Sequence, residues 1–116
     1  QGSAWMEKWL DEYPDEIELV ISNNDDMALG AADALERKKI TRPIKIVGID
    51  GTPQGIEGLS SGKLFGTVQC DSDEYANVMF QIAAAAGLGQ NVQEIVSLEG
   101  GKYYNCSQTA LTADKN

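Results

Sequence analysis

The hydrophobic and polar positions of the chain follow two patterns, short apolar runs and longer stretches with apolar residues at helical spacing. A three-residue apolar run at 19–21 and two six-residue stretches rich in apolar residues, at 44–49 and 64–69, predict strands. Stretches with apolar residues three or four positions apart predict helices at 2–12, 26–38, 53–60 and 73–88. Beyond residue 88 the pattern weakens, and strands are predicted at 94–98 and 103–112.

Helices and strands therefore alternate along most of the chain. This order predicts an α/β fold containing part of a doubly wound parallel sheet, with helices on both faces. The first strand, Leu19-Val20-Ile21, is a continuous apolar run, which favours burial on both faces. Trp5 and Trp9 share one helix face and are expected to pack in the core. No apolar run approaches the roughly 18 residues that a membrane-spanning helix needs.

Polar residues follow the first two strands at matching positions. Asn23 to Asp26 interrupt the apolar pattern after the first strand, and Asp50 follows the second. Each could simply cap the helix that comes next. Parallel strands, however, deliver their carboxyl ends to one edge of a sheet, where ligands of open α/β sheets bind. Asn24 and Asp50 together therefore indicate a site for a polar ligand.

Composition excludes several classes of function. The chain has 18 acidic and 9 basic residues, a net charge of −9, which disfavours nucleic acid as a partner. It contains no histidine, which excludes Ser-His triads and His-ligated metals. Its two cysteines, Cys70 and Cys106, fit neither a zinc ribbon nor a Cys-x-x-Cys redox motif.

The first residues lack the features of a secretory signal. Gln1 has no Met before it, and neither a basic start nor an apolar segment follows. The pattern begins partway through a helix, and three core strands are few for an independent doubly wound domain. We therefore expect a fragment of a longer protein.

Three motifs resemble the sugar-binding members of the type I periplasmic binding proteins, most closely the glucose/galactose-binding branch. The motifs are the segments 20–31 (VISNNDDMALGA), 47–53 (VGIDGTP) and 61–68 (SGKLFGTV), and the tail 111–116 is similar to the family's C-terminal end. The resemblance covers nearly the whole chain. It implies the C-terminal portion of a two-lobed protein that closes on a sugar, with 1–70 in the C-terminal lobe. Residues 71–116 would form the hinge crossing, a helix and strands of the other lobe, and the tail.

The same resemblance implies a function. It points to non-catalytic binding of a galactose- or glucose-like monosaccharide by the solute-binding component of an ABC sugar importer. The partners would be the sugar and a membrane permease, and the location the periplasm or, as a lipoprotein, the cell surface.

The family's ligand-binding positions transfer to three residues. Asn24 and Asp50 match an Asn and an Asp that hydrogen-bond sugar hydroxyls. The third position, usually Asn or Gln, falls on Cys70 here. Gln69, one residue earlier, would point to the opposite face of a regular strand. Two other roles stay open for Cys70, a small hinge residue or pairing with Cys106.

Glu18 matches a glutamate that completes a calcium site in the glucose/galactose-binding branch. The remaining ligands there come from a loop that would precede Gln1. One carboxylate cannot supply the roughly 6–8 oxygens that calcium takes, so no cofactor is expected in this chain alone. The alternative for Glu18 is a solvated residue at the strand edge.

Three other functions are consistent with the fold. The effector-binding domain of a LacI-type transcriptional regulator shares it, but Asp50-Gly51 and Ser61-Gly62-Lys63-Leu64 match the importer form. The sensor domain of a membrane-bound receptor is not distinguished from an importer component. A glycoside hydrolase with Asp25 and Asp50 as paired carboxylates is the least favoured alternative.

Overall fold

The computed structural model describes residues 1–113, so the last three residues of the tail motif lie outside the described part. Five helices have these bounds: α1 Gly2–Glu12, α2 Asp25–Arg37, α3 Pro53–Ser60, α4 Ser72–Gly87 and α5 Val92–Ile95. Four strands have these bounds: β1 Leu19–Ile21, β2 Lys45–Asp50, β3 Gly66–Cys70 and β4 Gln108–Thr112. No helix within residues 1–113 is long and apolar enough to cross a membrane.

The strands form one mostly parallel sheet in the order β1-β2-β3-β4. Strands β1 and β2 pair in parallel, with Val20 opposite Ile46, and β2 pairs in parallel with β3. Each parallel connection passes through a helix, as parallel strands require. The predicted α/β class with a parallel sheet is therefore confirmed.

The chain divides into two compact units. Unit 1 contains residues 1–69 and the chain from Thr109 onward, and unit 2 contains Cys70–Gln108. The predicted assignment of 1–70 to the C-terminal lobe, and of 71–116 to the hinge crossing, the other lobe and the tail, stays a prediction. Strand β4 returns the chain to the sheet of unit 1, so the chain passes between the units twice.

The core of unit 1 lies between α1, α2 and the sheet. Met6 and Leu10 of α1 are buried against an alanine-rich face of α2, and Ile46 of β2 is 1% exposed. Because the α2 residues at this contact are alanines, the helix and the sheet approach closely. The core therefore contains few large side chains and depends on each of them. Replacing Ile46 by Ala should cost about 2–5 kcal/mol, the usual range for a buried aliphatic side chain.

Two predictions about burial are wrong. In β1 only Val20 is buried, and Leu19 and Ile21 are 51% and 73% exposed. β1 is an edge strand, and only one of its faces is covered by a described element. Trp5 and Trp9 are also exposed rather than in the core, and their rings lie 6.1 Å apart beside this edge.

The predicted strand at 94–98 is wrong as well. Residues Val92–Ile95 form a short helix, begun by Asn91, whose side chain accepts a hydrogen bond from the Gln93 amide at 3.2 Å. Two glycines with positive φ, Gly100 and Gly101, then turn the chain. The strand predicted at 103–112 forms only in its second half, as β4.

Candidate functional site

Asn24 lies at the carboxyl end of β1 and caps α2. Its extended backbone (φ −155°, ψ 166°) lets Oδ1 accept a hydrogen bond from the Met27 amide at 2.8 Å. This bond satisfies one of the free amides of the first helical turn. In the described part of the chain, Nδ2 makes no hydrogen bond, and the residue is half-buried. Asn24 therefore caps the helix through Oδ1, and its Nδ2 donor is not used by any described residue.

Asp50 ends β2 in an unusual backbone conformation. Its φ is +108°, in a region that non-glycine residues rarely adopt, and Gly51 follows with φ +64°. Such a conformation costs about 1–3 kcal/mol and occurs preferentially at functional sites. The side chain is exposed. The protein thus holds this carboxylate at the end of the strand in spite of a conformational cost.

Asn24 and Asp50 lie at the same end of the sheet. β1 and β2 run in parallel, with Ile21 opposite Val47, and the Ser22 amide extends the pairing by donating to the Val47 carbonyl at 2.9 Å. Asn24 comes three positions after the last residue of β1, and Asp50 is the last residue of β2. We call this edge, formed by Asn24 and Asp50, the rim.

Asp25, next to Asn24, has a different role from its neighbour. Its side chain is completely buried. Oδ2 accepts hydrogen bonds from the Thr52 amide at 2.8 Å and the Thr52 hydroxyl at 3.0 Å. Oδ1 accepts one from the Thr67 hydroxyl at 2.6 Å. One carboxylate therefore joins the start of α2 to the turn after β2 and to β3.

The two threonines extend this network to the strained turn. Thr67, 1% exposed, also accepts a hydrogen bond from the Gly51 amide at 3.3 Å. The Thr52 hydroxyl caps α3 by accepting from the Gly55 amide at 3.0 Å. Gly51 and Thr52, which immediately follow Asp50, are thus held by hydrogen bonds to Thr67 and Asp25, respectively. This network fixes the backbone that presents the Asp50 carboxylate.

Two glycines make room for the buried carboxylate. A Cβ on Gly48 of β2 or on Gly55 of α3 would overlap the oxygens of Asp25. The sequence suggested Asp25 as a helix cap or as one of a catalytic pair with Asp50, and this structural role was not predicted. The available signal was Gly48 in the middle of a strand, which marks a close approach by another group. The Asp25 side chain is completely buried, and both of its oxygens accept hydrogen bonds from the threonines. It is therefore excluded as a catalytic partner of Asp50.

Cys70, the third predicted ligand residue, ends β3 and belongs to unit 2. It lines a pocket there with Tyr75, Tyr104 and Cys106. In unit 1, the sheet register places the exposed Gln69 directly opposite Asp50, and a Cβ on Gly51 would meet its side chain. Gln69 is thus a polar neighbour of Asp50 that sequence analysis had set aside.

Glu18 lies just before β1 and is exposed. Its backbone carbonyl accepts a hydrogen bond from the Lys45 amide at 3.0 Å, which extends the sheet by one residue. Within residues 1–113, no group of three or more His, Cys, Asp or Glu side chains is arranged to hold a metal ion. The calcium role of Glu18 stays a prediction.

The family of the chain follows from comparison with known proteins. A family model described as a periplasmic binding protein domain matches residues 1–91. The chain belongs to this family. The match contains the whole rim and the network that supports it, so these features are part of a periplasmic binding protein domain.

Individual relatives agree with this assignment. The D-galactose/methyl-galactoside binding periplasmic protein of Haemophilus influenzae is 34% identical over 77% of this chain and 27% of its own length. The ribose import binding protein of Salmonella typhimurium is 34% identical over 80% of this chain and 31% of its own. The crystal structure of an ABC transporter solute binding protein from Bacillus halodurans with bound myo-inositol is 38% identical, with a TM-score of 0.69 over 77% of this chain and 31% of that one.

The chain thus spans less than a third of the length of these relatives. They are solute-binding proteins rather than enzymes, which confirms the expectation of a non-catalytic family. None of the three is a transcriptional regulator. Their names specify different ligands, namely galactose or methyl-galactoside, ribose and myo-inositol, so these relatives do not single out galactose or glucose.

Proposed function

We propose that the chain contributes one side of a monosaccharide site in the solute-binding component of an ABC importer. The observation that carries the proposal is the rim. Asn24 caps the helix that follows β1, Asp50 ends the adjacent parallel strand β2, and a buried network holds the turn after the strained Asp50. Membership of the periplasmic binding protein family supports it. So do relatives whose names specify galactose and ribose binding.

The chemistry of the rim suits a guest rich in hydroxyl groups. A carboxylate accepts hydrogen bonds from two hydroxyls, and such charge-assisted bonds are stronger than neutral ones. The Nδ2 group of Asn24 donates to a hydroxyl oxygen while Oδ1 stays on the helix. A galactose- or glucose-like ring is our proposed ligand. Cys70 remains a proposed third contact, to which the register adds Gln69.

The wider assignments are proposals of the same kind. The importer role implies a membrane permease as partner and a location in the periplasm or at the cell surface as a lipoprotein. A calcium ion bound with the help of Glu18 would require ligands from outside this chain. Its test is a calcium titration of a longer version of the protein with Glu18→Gln as the comparison.

Binding by this chain alone should be weak. Only part of a ligand shell is present, while association costs about 4–15 kcal/mol in lost freedom of motion. We expect millimolar or weaker dissociation constants for galactose, glucose and ribose by NMR titration. Micromolar binding in a calorimetric titration would contradict the view that the rim is only one side of the site.

The informative variant is Asn24→Asp. It retains the oxygen that caps α2 but replaces the Nδ2 donor, so the helix is preserved while one sugar contact is lost. Loss of one hydrogen bond of about 1 kcal/mol weakens binding about fivefold. Asp26→Asn, an exposed change in the same turn, is the matched control and should leave affinity unchanged. Equal affinity of both variants and the original chain would refute the assignment of Asn24.

A further inference from the structure

The two cysteines of the chain lie in one pocket of unit 2. Both are free thiols and half-buried, and Tyr75, Tyr104 and Asn105 line the same pocket. They are 36 positions apart in sequence, so the fold rather than the local chain brings them together. Cys70 is the first residue of unit 2, and Cys106 comes just before the chain leaves it.

Three hydrogen bonds hold the two cysteine segments together. The carboxylate of Glu74 accepts one from the Tyr104 hydroxyl at 2.6 Å and one from the Ser107 amide at 2.8 Å. The Asp71 amide donates to the Ser107 carbonyl at 3.1 Å. Cys106 therefore lies between two anchored residues, Tyr104 and Ser107, and Ser107 is hydrogen-bonded to the residue that follows Cys70.

We propose that Cys70 and Cys106 form an oxidation site, which closes to an intramolecular disulfide when the chain meets a small-molecule disulfide. One thiolate attacks a sulfur of oxidised glutathione, which forms a mixed disulfide and releases one glutathione. The other cysteine loses its proton, attacks the protein sulfur of the mixed disulfide and releases the second glutathione. In sum, two protein thiols are oxidised to one disulfide, and one glutathione disulfide is reduced to two thiols.

The surroundings of Cys106 affect the pKa of its thiol. Burial raises the pKa of the Cys106 thiol, and the negative charges of Glu74, Cys70 and Asp71 raise it further. Because the thiolate is the attacking form, Cys106 is a poor first nucleophile at neutral pH.

The disulfide would join the two segments at which the chain enters and leaves unit 2. The chain enters unit 2 at Cys70 and leaves it after Gln108. A disulfide between Cys70 and Cys106 would therefore link the first segment of unit 2 to its last segment. This site does not depend on the sugar assignment.

The experiment treats the whole chain with oxidised glutathione and analyses it by intact mass and non-reducing tryptic mapping. Trypsin separates the cysteines, since cleavage after Lys63 and Lys102 leaves Cys70 in peptide 64–102 and Cys106 in a later peptide. We expect a monomer that has lost two hydrogen atoms, with these two peptides linked. Cys70→Ser and Cys106→Ser each leave one thiol and should give only the glutathione adduct. Accumulation of doubly glutathionylated chain, or of disulfide-linked dimer, would overturn the proposal.

A second variant tests the anchor. Glu74→Gln removes the charged acceptor between Tyr104 and Ser107, and it also removes a charge that raises the Cys106 pKa. With the rate expressed per Cys106 thiolate, loss of roughly 1.4 kcal/mol of ordering slows ring closure about tenfold. The exposed Asp73→Asn, in the same helical turn, is the matched control and should close at the original rate. Equal rates for both variants would show that the hydrogen bonds of Glu74 do not bring the thiols together.

Discussion

Removal of the buried carboxylate of Asp25 should be among the most damaging single changes in unit 1. Asp25→Ala eliminates three hydrogen bonds to a charged acceptor, at 2.6, 2.8 and 3.0 Å. It also leaves the Thr67 hydroxyl, 1% exposed, without its acceptor. Hydrogen bonds to charged groups contribute about 1.5–3 kcal/mol each, and a stranded buried polar group costs about 1–3 kcal/mol.

The full sum is not expected, because the variant no longer buries a charge. Loss of the three hydrogen bonds, together with the stranded Thr67 hydroxyl, should lower the free energy of unfolding of unit 1 by about 3–5 kcal/mol. Asp25→Asn keeps the shape of the side chain and one acceptor oxygen, so the free energy of unfolding should fall by only about 1–3 kcal/mol. A small domain has only about 5–15 kcal/mol in total, so the alanine variant should be close to unfolding.

Urea denaturation followed by tryptophan fluorescence measures this loss, because Trp5 and Trp9 both belong to unit 1. The control is Asp26→Ala, an exposed carboxylate in the same helical turn, whose loss should cost no more than about 1 kcal/mol through the helix dipole. If Asp25→Ala and Asp26→Ala shift the midpoint equally, the buried network does not stabilise the unit as we argue.

Three further predictions concern other parts of the chain. In Gly55→Ala the new Cβ would overlap the buried Asp25 carboxylate, so the variant should lose about 1–3 kcal/mol of unfolding free energy in the same urea assay. An unchanged midpoint would contradict this steric overlap. Asp50→Gly relieves the strained φ and should stabilise unit 1 by about 1 kcal/mol while sugar-induced NMR shifts shrink; a less stable variant would argue against strain. The Tyr104 hydroxyl and the Ser107 amide lower the pKa of Glu74, so its stabilisation of unit 2 is complete above the ordinary carboxyl pKa and is lost as pH falls through the lowered one. The Tyr104 ring resonances should report that transition and should not do so in Glu74→Gln.

Local sequence was sufficient to predict the strands β1 to β3, the helices α1 to α4 and the positions of Asn24 and Asp50. A β-branched run that stops at a cluster of amides and carboxylates has few alternatives to a strand followed by a capped helix. The carboxyl ends of parallel strands then meet at one edge because of topology. These inferences need no knowledge of distant contacts.

The role of Asp25 could not be read in the same way. Asp25 and Asp26 are chemically identical neighbours, and which one points inward depends on the rotation of α2 and on threonines 27 and 42 positions away. The exposure of Leu19 and Ile21 likewise depends on which elements cover the sheet. The helix at Val92–Ile95 contradicts a strand prediction because the Asn91 cap outweighs the apolar content of so short a segment.

The central claim is that Asn24 and Asp50 face a sugar together, and NMR mapping on the isotope-labelled chain tests it most directly. With galactose, glucose or ribose added at increasing concentration, the amide shifts should concentrate at residues 23–26 and 50–52 and diminish together in Asn24→Asp. Shifts confined to other surfaces, or none at any of these positions with all three sugars, would contradict the account.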